Sequence, residues 1–475
     1  MPRRRWMRWF GCAALSRQWI EAQGIDPIPG GQVALGEPSV EGSARDLGVA
    51  SLARAAWSAE AETVAVWSLV VVIWLLSIAS YSRAERAVAP LSLSTLDPMA
   101  AAKVATRLIA LLVLGTILWK VPRTPAKQHV MKRIFPFGLL GAWAVASTLW
   151  SPMKTVSLGH GAEMLMFVAL AGVVGMVCTE DRHLSRILFH LTAAALVVSV
   201  LNAGFGAAGL SNAEGEAGGR AFGFLHPNMA AQVAGVGLVV LVSSYLIAGW
   251  RWTRWLLLPA IAMQGWVLFL SQSRTANGAT FAALLACLVL FARRRSVLLV
   301  AVIFAVALTG YLAFDPAGQA FGDMQGRIVD YVMRGQTRSQ FMTATGRSEM
   351  WAVGWESFLE SPLRGHGNWM MTKTGMVPVW GESEWQTAHN LFLHVLAGTG
   401  LIGGFLLVWA LWRPAAAAWH EFAKGTAERK TAAFVLTVFG WFLLVGLYEI
   451  SFLGPVSPSS LAFFVVLGIA AGRLP

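Results

Sequence analysis

The chain reads as long apolar runs separated by short polar breaks. A helix needs about 20 mostly apolar residues to cross a bilayer. Runs of that kind fall at about 62–81, 104–121, 134–151, 156–178, 184–204, 228–249, 254–271, 276–292, 296–314, 388–412, 430–450 and 458–472. No sustained period-two alternation marks a β-barrel. The pattern predicts an all-α polytopic integral membrane protein with about twelve transmembrane helices.

One long segment, 315–387, breaks this rhythm. Loops of such length in a compact body are functional or disordered. Here Phe321, Met324, Ile328 and Tyr331 recur at helical spacing, as do Trp351, Trp355, Phe358 and Leu359 before Pro362. Helices of this kind lie flat on a membrane surface or pack on neighbouring loops, and the pattern fits both. The expected organisation has four parts. Residues 1–60 form a cytoplasmic extension, partly disordered; 61–314 carry helices one to nine; 315–387 form the long loop with short helices; 388–475 carry helices ten to twelve.

Composition agrees with the pattern. Of 475 residues, 56% are hydrophobic and only 13% charged, which suits a membrane protein. Many of the 22 Trp residues sit at run ends, as an interfacial belt requires. The net charge of +12 would suggest nucleic acid in a soluble protein. Here the basic residues fall in alternate short breaks, among them Lys120, Arg123, Lys132 and Arg133, then Arg182 and Arg186, then Arg413 and Lys424. The positive-inside bias therefore places both termini in the cytoplasm and makes membrane lipids, not nucleic acid, the partner of this charge. The basic start from Arg3 to Arg8 meets anionic headgroups, and "FGCAAL" behind it is too short for a cleavable signal. Cys12, Cys178 and Cys287 fall on the inner side and show no zinc spacing.

The exceptions to the charge rule carry the candidate chemistry. Arg220 in "GGRAFGFLHPNMA", Arg274 in "SQSRTANG", Arg347 in "TGRSEMW" and His389 all fall on the outer side. Each has an ordinary reading. Arg220 suits a solvated loop. Arg274 can snorkel from a turn, and Arg347 can be one charge in a mixed loop. His226-Pro227-Asn228 can simply start a helix. A lone histidine more often satisfies a backbone carbonyl than does chemistry. Gly400 and Gly404 have GxxxG spacing, which reads as helix packing. Together they support another reading. Several planar guanidinium groups around one pocket suit a diphosphate. Thr387 as N-cap would put His389 in the first helical turn, where the dipole favours the neutral imidazole that a general base requires. Glu449 near the outer end of the eleventh run either lines such a site or serves as a cap or packing group. The outer carboxylates Asp315, Asp323, Glu349, Glu382 and Glu384 show no tight ligand spacing, so no metal is expected.

The motifs "RAFGFLHPNMAA", "SQSRTA", "TGRSEMW" with "SPLRGHG", and "HNLFLHVLAGTGLIG" occur in this order. In them the chain resembles the O-antigen ligase and polymerase superfamily of membrane glycosyltransferases, over roughly residues 134–470. The last motif fits the family pattern through His389, Asn390, Gly400 and Gly403. The resemblance implies a GT-C-type enzyme of the bacterial inner membrane. Its site would be periplasmic and its donor a polyprenyl-diphosphate-linked oligosaccharide, with no cofactor, nucleotide sugar or metal. It maps donor-diphosphate binding onto Arg220, Arg274 and Arg347 and the essential base onto His389, while His226, Asn228 and Asn390 match motif positions of less defined role. Two acceptors stay open: lipid A core for a ligase, or a carrier-linked repeat unit for a polymerase. The motif order is closest to exopolysaccharide polymerases of the succinoglycan type, for which polysaccharide export machinery would be a further partner. A transporter or flippase of lipid-linked glycan is the rival from another class. Its polar groups belong near the bilayer midplane on repeated halves.

Overall fold

A computed structural model describes residues 59–80, 98–207, 223–248, 254–291, 347–379, 382–384, 387–454 and 456–474. Arg220, the expected ninth span, the loop pattern from Phe321 to Tyr331 and almost all of the N-terminal extension lie outside these residues.

Every expected span but the ninth coincides with a helix. They are α1 (Ala59–Ile78), α2 (Pro98–Lys120), α3 (Pro125–Ala146), α4 (Lys154–Val177), α5 (Asp181–Ala207), α6 (Pro227–Ala248), α7 (Arg254–Ser271) and α8 (Arg274–Phe291), followed by α10 (Leu391–Lys424), α11 (Arg429–Gly446) and α12 (Pro458–Arg473). In the long loop lie α9 (Arg347–Glu360) and a hairpin of β1 (Val377–Val379) with β2 (Glu382–Glu384), antiparallel with Pro378 opposite Ser383. By length and composition, eight of the described helices can cross a membrane; α7 and α12 are shorter but apolar. The protein is an integral membrane protein.

The inner basic residues were expected in loops. Instead α3 starts early enough, and α10 runs far enough, to carry Lys132, Arg133 and Arg413 within helices. At the other end, α11 stops at Gly446, so Glu449 lies in the turn beyond it rather than inside a span.

The core centres on α12, which is buried on all sides from Pro458 to Gly472. A helix apolar all round belongs inside a bundle. It crosses α4 closely through small residues: a Cβ at Gly468 would meet the Ala171 carbonyl oxygen at 2.5 Å, and one at Gly472 would collide with the Gly175 carbonyl. Backbone approach of this kind drives helix association where lipid supplies no hydrophobic force. Phe137, Phe442, Phe452, Phe463 and Phe464 fill the space beside it, with Phe452 stacked on Phe463 at 3.7 Å.

Helix α10 is broken. Gly400 has φ 67° and ψ −168°, which no side chain adopts without strain in L-residues. The break frees backbone groups, and an unpaired group in a bilayer costs several kcal/mol. The segment "SPLRGHG" pairs with most of them. His366 N donates to Ala397 O (3.0 Å), Gly367 N to Gly398 O (2.8 Å), and Leu401 N to Pro362 O (2.7 Å), while Trp143 Nε1 takes up Thr399 O (3.0 Å). A Cβ on Gly400 would collide with the Leu363 backbone. Gly400 is therefore the seat for a docked loop. The GxxxG helix-packing reading does not hold for it, because spacing carries no information about φ.

Candidate functional site

Several chain segments end at one end of the bundle, and their first or last residues are the motif residues. Arg347 opens α9, Arg274 opens α8, Asn228 is in the first turn of α6, His389 immediately precedes α10, and Glu449 follows α11. Glu449 is the hub. Its Oε1 accepts from Arg347 Nη2 at 2.7 Å and from Asn228 Nδ2 at 3.1 Å, and its Oε2 lies 2.9 Å from His389 Nδ1. The carboxylate is only 5% exposed, so these partners replace the water it has lost. Burial pushes this carboxyl up, but the hydrogen bond and charge of His389 and the charge of Arg347 outweigh it and hold the group below the usual carboxylate range.

An ionised carboxylate only accepts, so His389 donates through Nδ1. That fixes the tautomer and leaves Nε2 as the basic nitrogen. The imidazole keeps 29% of its side-chain surface exposed.

The backbone around His389 differs from the expected cap. The N-cap of α10 is Asn390, extended at φ −155°, with its side chain accepting from Leu393 N at 2.9 Å. Thr387 is not the cap, and His389 stands outside the first turn at φ 44°. A left-handed non-glycine costs about 1–3 kcal/mol and persists where its surroundings over-determine it. Those surroundings are visible here. Asn390 Nδ2 donates to Leu447 O at 3.1 Å, joining the start of α10 to the end of α11. Trp351 Nε1 donates to Ala388 O at 2.9 Å, so α9 holds the residue before His389 as well as supplying Arg347.

The remaining motif residues are placed as follows. His226 is exposed, and its Nδ1 accepts from Asn228 N at 3.3 Å, which shapes the entry to α6. Arg274 begins a helix held firmly against its neighbours: Trp441 Nε1 of α11 donates to Thr280 Oγ1 at 3.0 Å, and Gly235 of α6 fits beneath that pair. In α9, Met350, Gly354 and Phe358 are buried while Trp355 and Leu359 are 50% and 58% exposed. Its inner face packs on the start of α10, as the neighbour-packing reading expects, and its outer aromatic face stays open.

A second polar set, not singled out from the sequence, lies within the bundle. Arg107 of α2 pairs with Glu163 of α4, and His160 Nδ1 lies 3.2 Å from the other oxygen of Glu163. The His160 ring stacks on Trp369 at 3.9 Å, and His394 meets Trp369 edge-on at 4.9 Å. His160, Glu163, Asn368, Trp369, His394 and Thr399 line a cavity of about 30 Å³, room for about one or two waters. The signal for these residues was their position inside apolar runs, where ionisable groups are rare and functional.

Among the described residues, Glu62, Glu180 and His183 are close enough to share an ion. They lie at the opposite end of the bundle from Glu449, and Arg182 pairs with both glutamates.

The family model described as O-antigen ligase matches residues 259–408. The match takes in Arg274, Arg347, His389 and Asn390 and supports the O-antigen ligase and polymerase superfamily. No curated protein matches the chain.

Proposed function

We propose that this membrane protein of the O-antigen ligase and polymerase superfamily is a glycosyltransferase that moves glycan from a polyprenyl-diphosphate donor at the periplasmic face of the bacterial inner membrane. The observation that carries the reading is the His389–Glu449–Arg347 cluster with Asn228. It gathers an oriented imidazole and a guanidinium group at one end of the bundle.

In this reading the donor's lipid tail stays in the bilayer and its diphosphate lies near Arg347, Arg274 and Arg220. Nε2 of His389 takes the proton of an acceptor hydroxyl as its oxygen attacks the anomeric carbon. The anomeric C–O bond to phosphate breaks, the electron pair leaves with the diphosphate, and the configuration inverts. Arginine charge offsets the charge growing on the leaving group, where preorganised electrostatics act most strongly. Arg347 also neutralises Glu449, which keeps that carboxylate as an orienting partner and not a competing base. The fork of Arg347 retains further N–H donors for phosphate. The acceptor is proposed to be a carrier-linked repeat unit, which makes the enzyme a polymerase. No step requires a metal.

The test uses purified protein in liposomes with lipid-linked donor and no ion gradient. Lengthened glycan on the carrier is the expected product, and His389→Ala is expected to abolish it while the protein stays folded. Normal product from that variant would remove His389 as the base. A strict requirement for lipid A core would identify a ligase instead.

One observation favours a second reading. The Arg107–Glu163–His160 set lies within the bundle, where transporters place ionisable groups. A carrier of lipid-linked glycan would move donor across the liposome membrane without forming a new bond, so the same preparation distinguishes the two.

A further inference from the structure

The end of the bundle opposite Glu449 holds a recess among α3, α10 and α12. Its cavity is about 210 Å³, with Arg133 and Arg413 on its wall and Ala417, Ala470 and Ala471 among its lining. The small residues make the recess; two guanidinium groups from separate helices make it cationic. Trp412, 69% exposed, stands at its rim.

The two arginines differ from others in the protein. Arg473, at the same end of the bundle, pairs with Asp181 and Glu428; Arg182 pairs with Glu180 and Glu62; Arg429 lies over the Phe422 ring. Among the described residues, neither Arg133 nor Arg413 has a carboxylate within ion-pair distance. Arg413 Nη1 donates to Lys132 O at 3.1 Å, which fixes its guanidinium at the recess and leaves its other donors. Glu421 is the acid that attracts Arg133 through space, but its own carboxylate is buried and held by Thr426 Oγ1 at 2.7 Å and His420 at 3.2 Å. The two like charges still repel across the cavity, and an anion between them relieves the repulsion.

Depth identifies the anion. Arg413 lies about 20 Å along α10 beyond the break at Gly400, at 1.5 Å per residue, and the piece before the break, starting next to the Glu449 cluster, adds to the span of a hydrocarbon core of about 30 Å. The recess therefore sits at the headgroup level of the leaflet remote from Glu449, and exposed Trp412, beside Arg413, marks that level, with exposed Trp419 about 10 Å further along the helix. Basic pockets between transmembrane helices at this depth bind anionic headgroups. We infer that the α3–α10–α12 recess is a binding site for the phosphodiester of an anionic phospholipid, held between Arg133 and Arg413.

The test uses the full-length protein in neutral detergent, titrated with short-chain phosphatidylglycerol, short-chain phosphatidylcholine or inorganic phosphate. Bound lipid is read by native mass spectrometry and thermal stability in parallel. Phosphatidylglycerol is expected to bind and raise Tm, while the other two do neither. Arg133→Gln and Arg413→Gln are each expected to weaken binding about fivefold, at about 1 kcal/mol per basic group, and together to abolish the Tm shift. Arg133→Lys/Arg413→Lys keeps the charge and is expected to retain binding, which separates loss of the site from loss of the fold. Undiminished binding by the double glutamine variant overturns the assignment. So does an equal shift with inorganic phosphate, which would make it a free-anion site, or with phosphatidylcholine.

Discussion

Replacing Glu449 with Gln tests the proposed chemistry with little change of shape. The amide oxygen of Gln still accepts from Arg347 and Asn228, as Glu449 Oε1 does. The other end becomes an NH₂ facing His389 Nδ1, which now lies 2.9 Å from an acceptor oxygen. An amide N–H donates, so Nδ1 must become the acceptor and the ring proton moves to Nε2. The nitrogen that faces the acceptor hydroxyl then has no lone pair to offer. General-base catalysis contributes about 10²–10⁴-fold, or about 3–5 kcal/mol of barrier, and the whole of it depends on this tautomer. The fold bears a separate load. Arg347 would keep its charge, 17% exposed, beside a neutral group. Removing one partner of a buried pair costs about 3–5 kcal/mol, and the retained hydrogen bonds place this variant near the lower end. The assay follows product formation from lipid-linked donor by protein that remains monodisperse, with Tm measured alongside. A loss of about 10²-fold or more, with donor affinity nearly unchanged, is expected. If a folded E449Q variant works within about threefold of the parent, Glu449 does not set the state of His389, and the dyad argument fails.

Three further outcomes follow from the same structure. Gly400→Ala forces a side chain at φ 67° into the Leu363 backbone, so a loss of about 2–4 kcal/mol and faster proteolysis of the 361–371 loop are expected; unchanged Tm and cleavage would contradict the docked-loop description. Arg274→Lys keeps a charge but loses the planar fork, and activity should fall if that fork grips phosphate, whereas full activity would assign Arg274 to interfacial snorkelling. Because the folded protein holds the Glu449 carboxyl below its ordinary range, that group stabilises the fold above the usual carboxylate pKa, and the contribution disappears as pH falls through the depressed value. Acidification should therefore lower the Tm of the parent more steeply than that of E449Q, and parallel curves would refute the linkage.

The sequence carried the spans because an apolar run of bilayer length has few other uses. It pointed to the motif ends because Arg347 and His389 stand out from the pattern of apolar runs and basic breaks. It did not carry the cap: Thr387 and Asn390 are both good N-cap residues, and only the backbone decides that Asn390 bonds Leu393 N. Glu449 stood as one of two readings, since its three partners come from positions far apart in the chain. Arg107, His160, Glu163 and His394 were hidden by averaging. A run can stay apolar overall while carrying one or two ionisable side chains, and only packing shows that His160, Glu163 and His394 gather at the cavity beside Trp369, with Arg107 paired to Glu163.

The interruption at Gly400 has a mechanical consequence. It divides α10 into a short stub that follows His389 and a long rod that carries Arg413. Both pieces are lashed beside the break to the 361–367 segment, and the stub is also tied to the turn after α11. Membranes of different thickness tilt long helices. Because the 362–367 segment bonds Ala397 and Gly398 on one side of the break and Leu401 and Ile402 on the other, it clamps the joint, and a tilt of the rod meets this clamp before it reaches the imidazole beside Glu449.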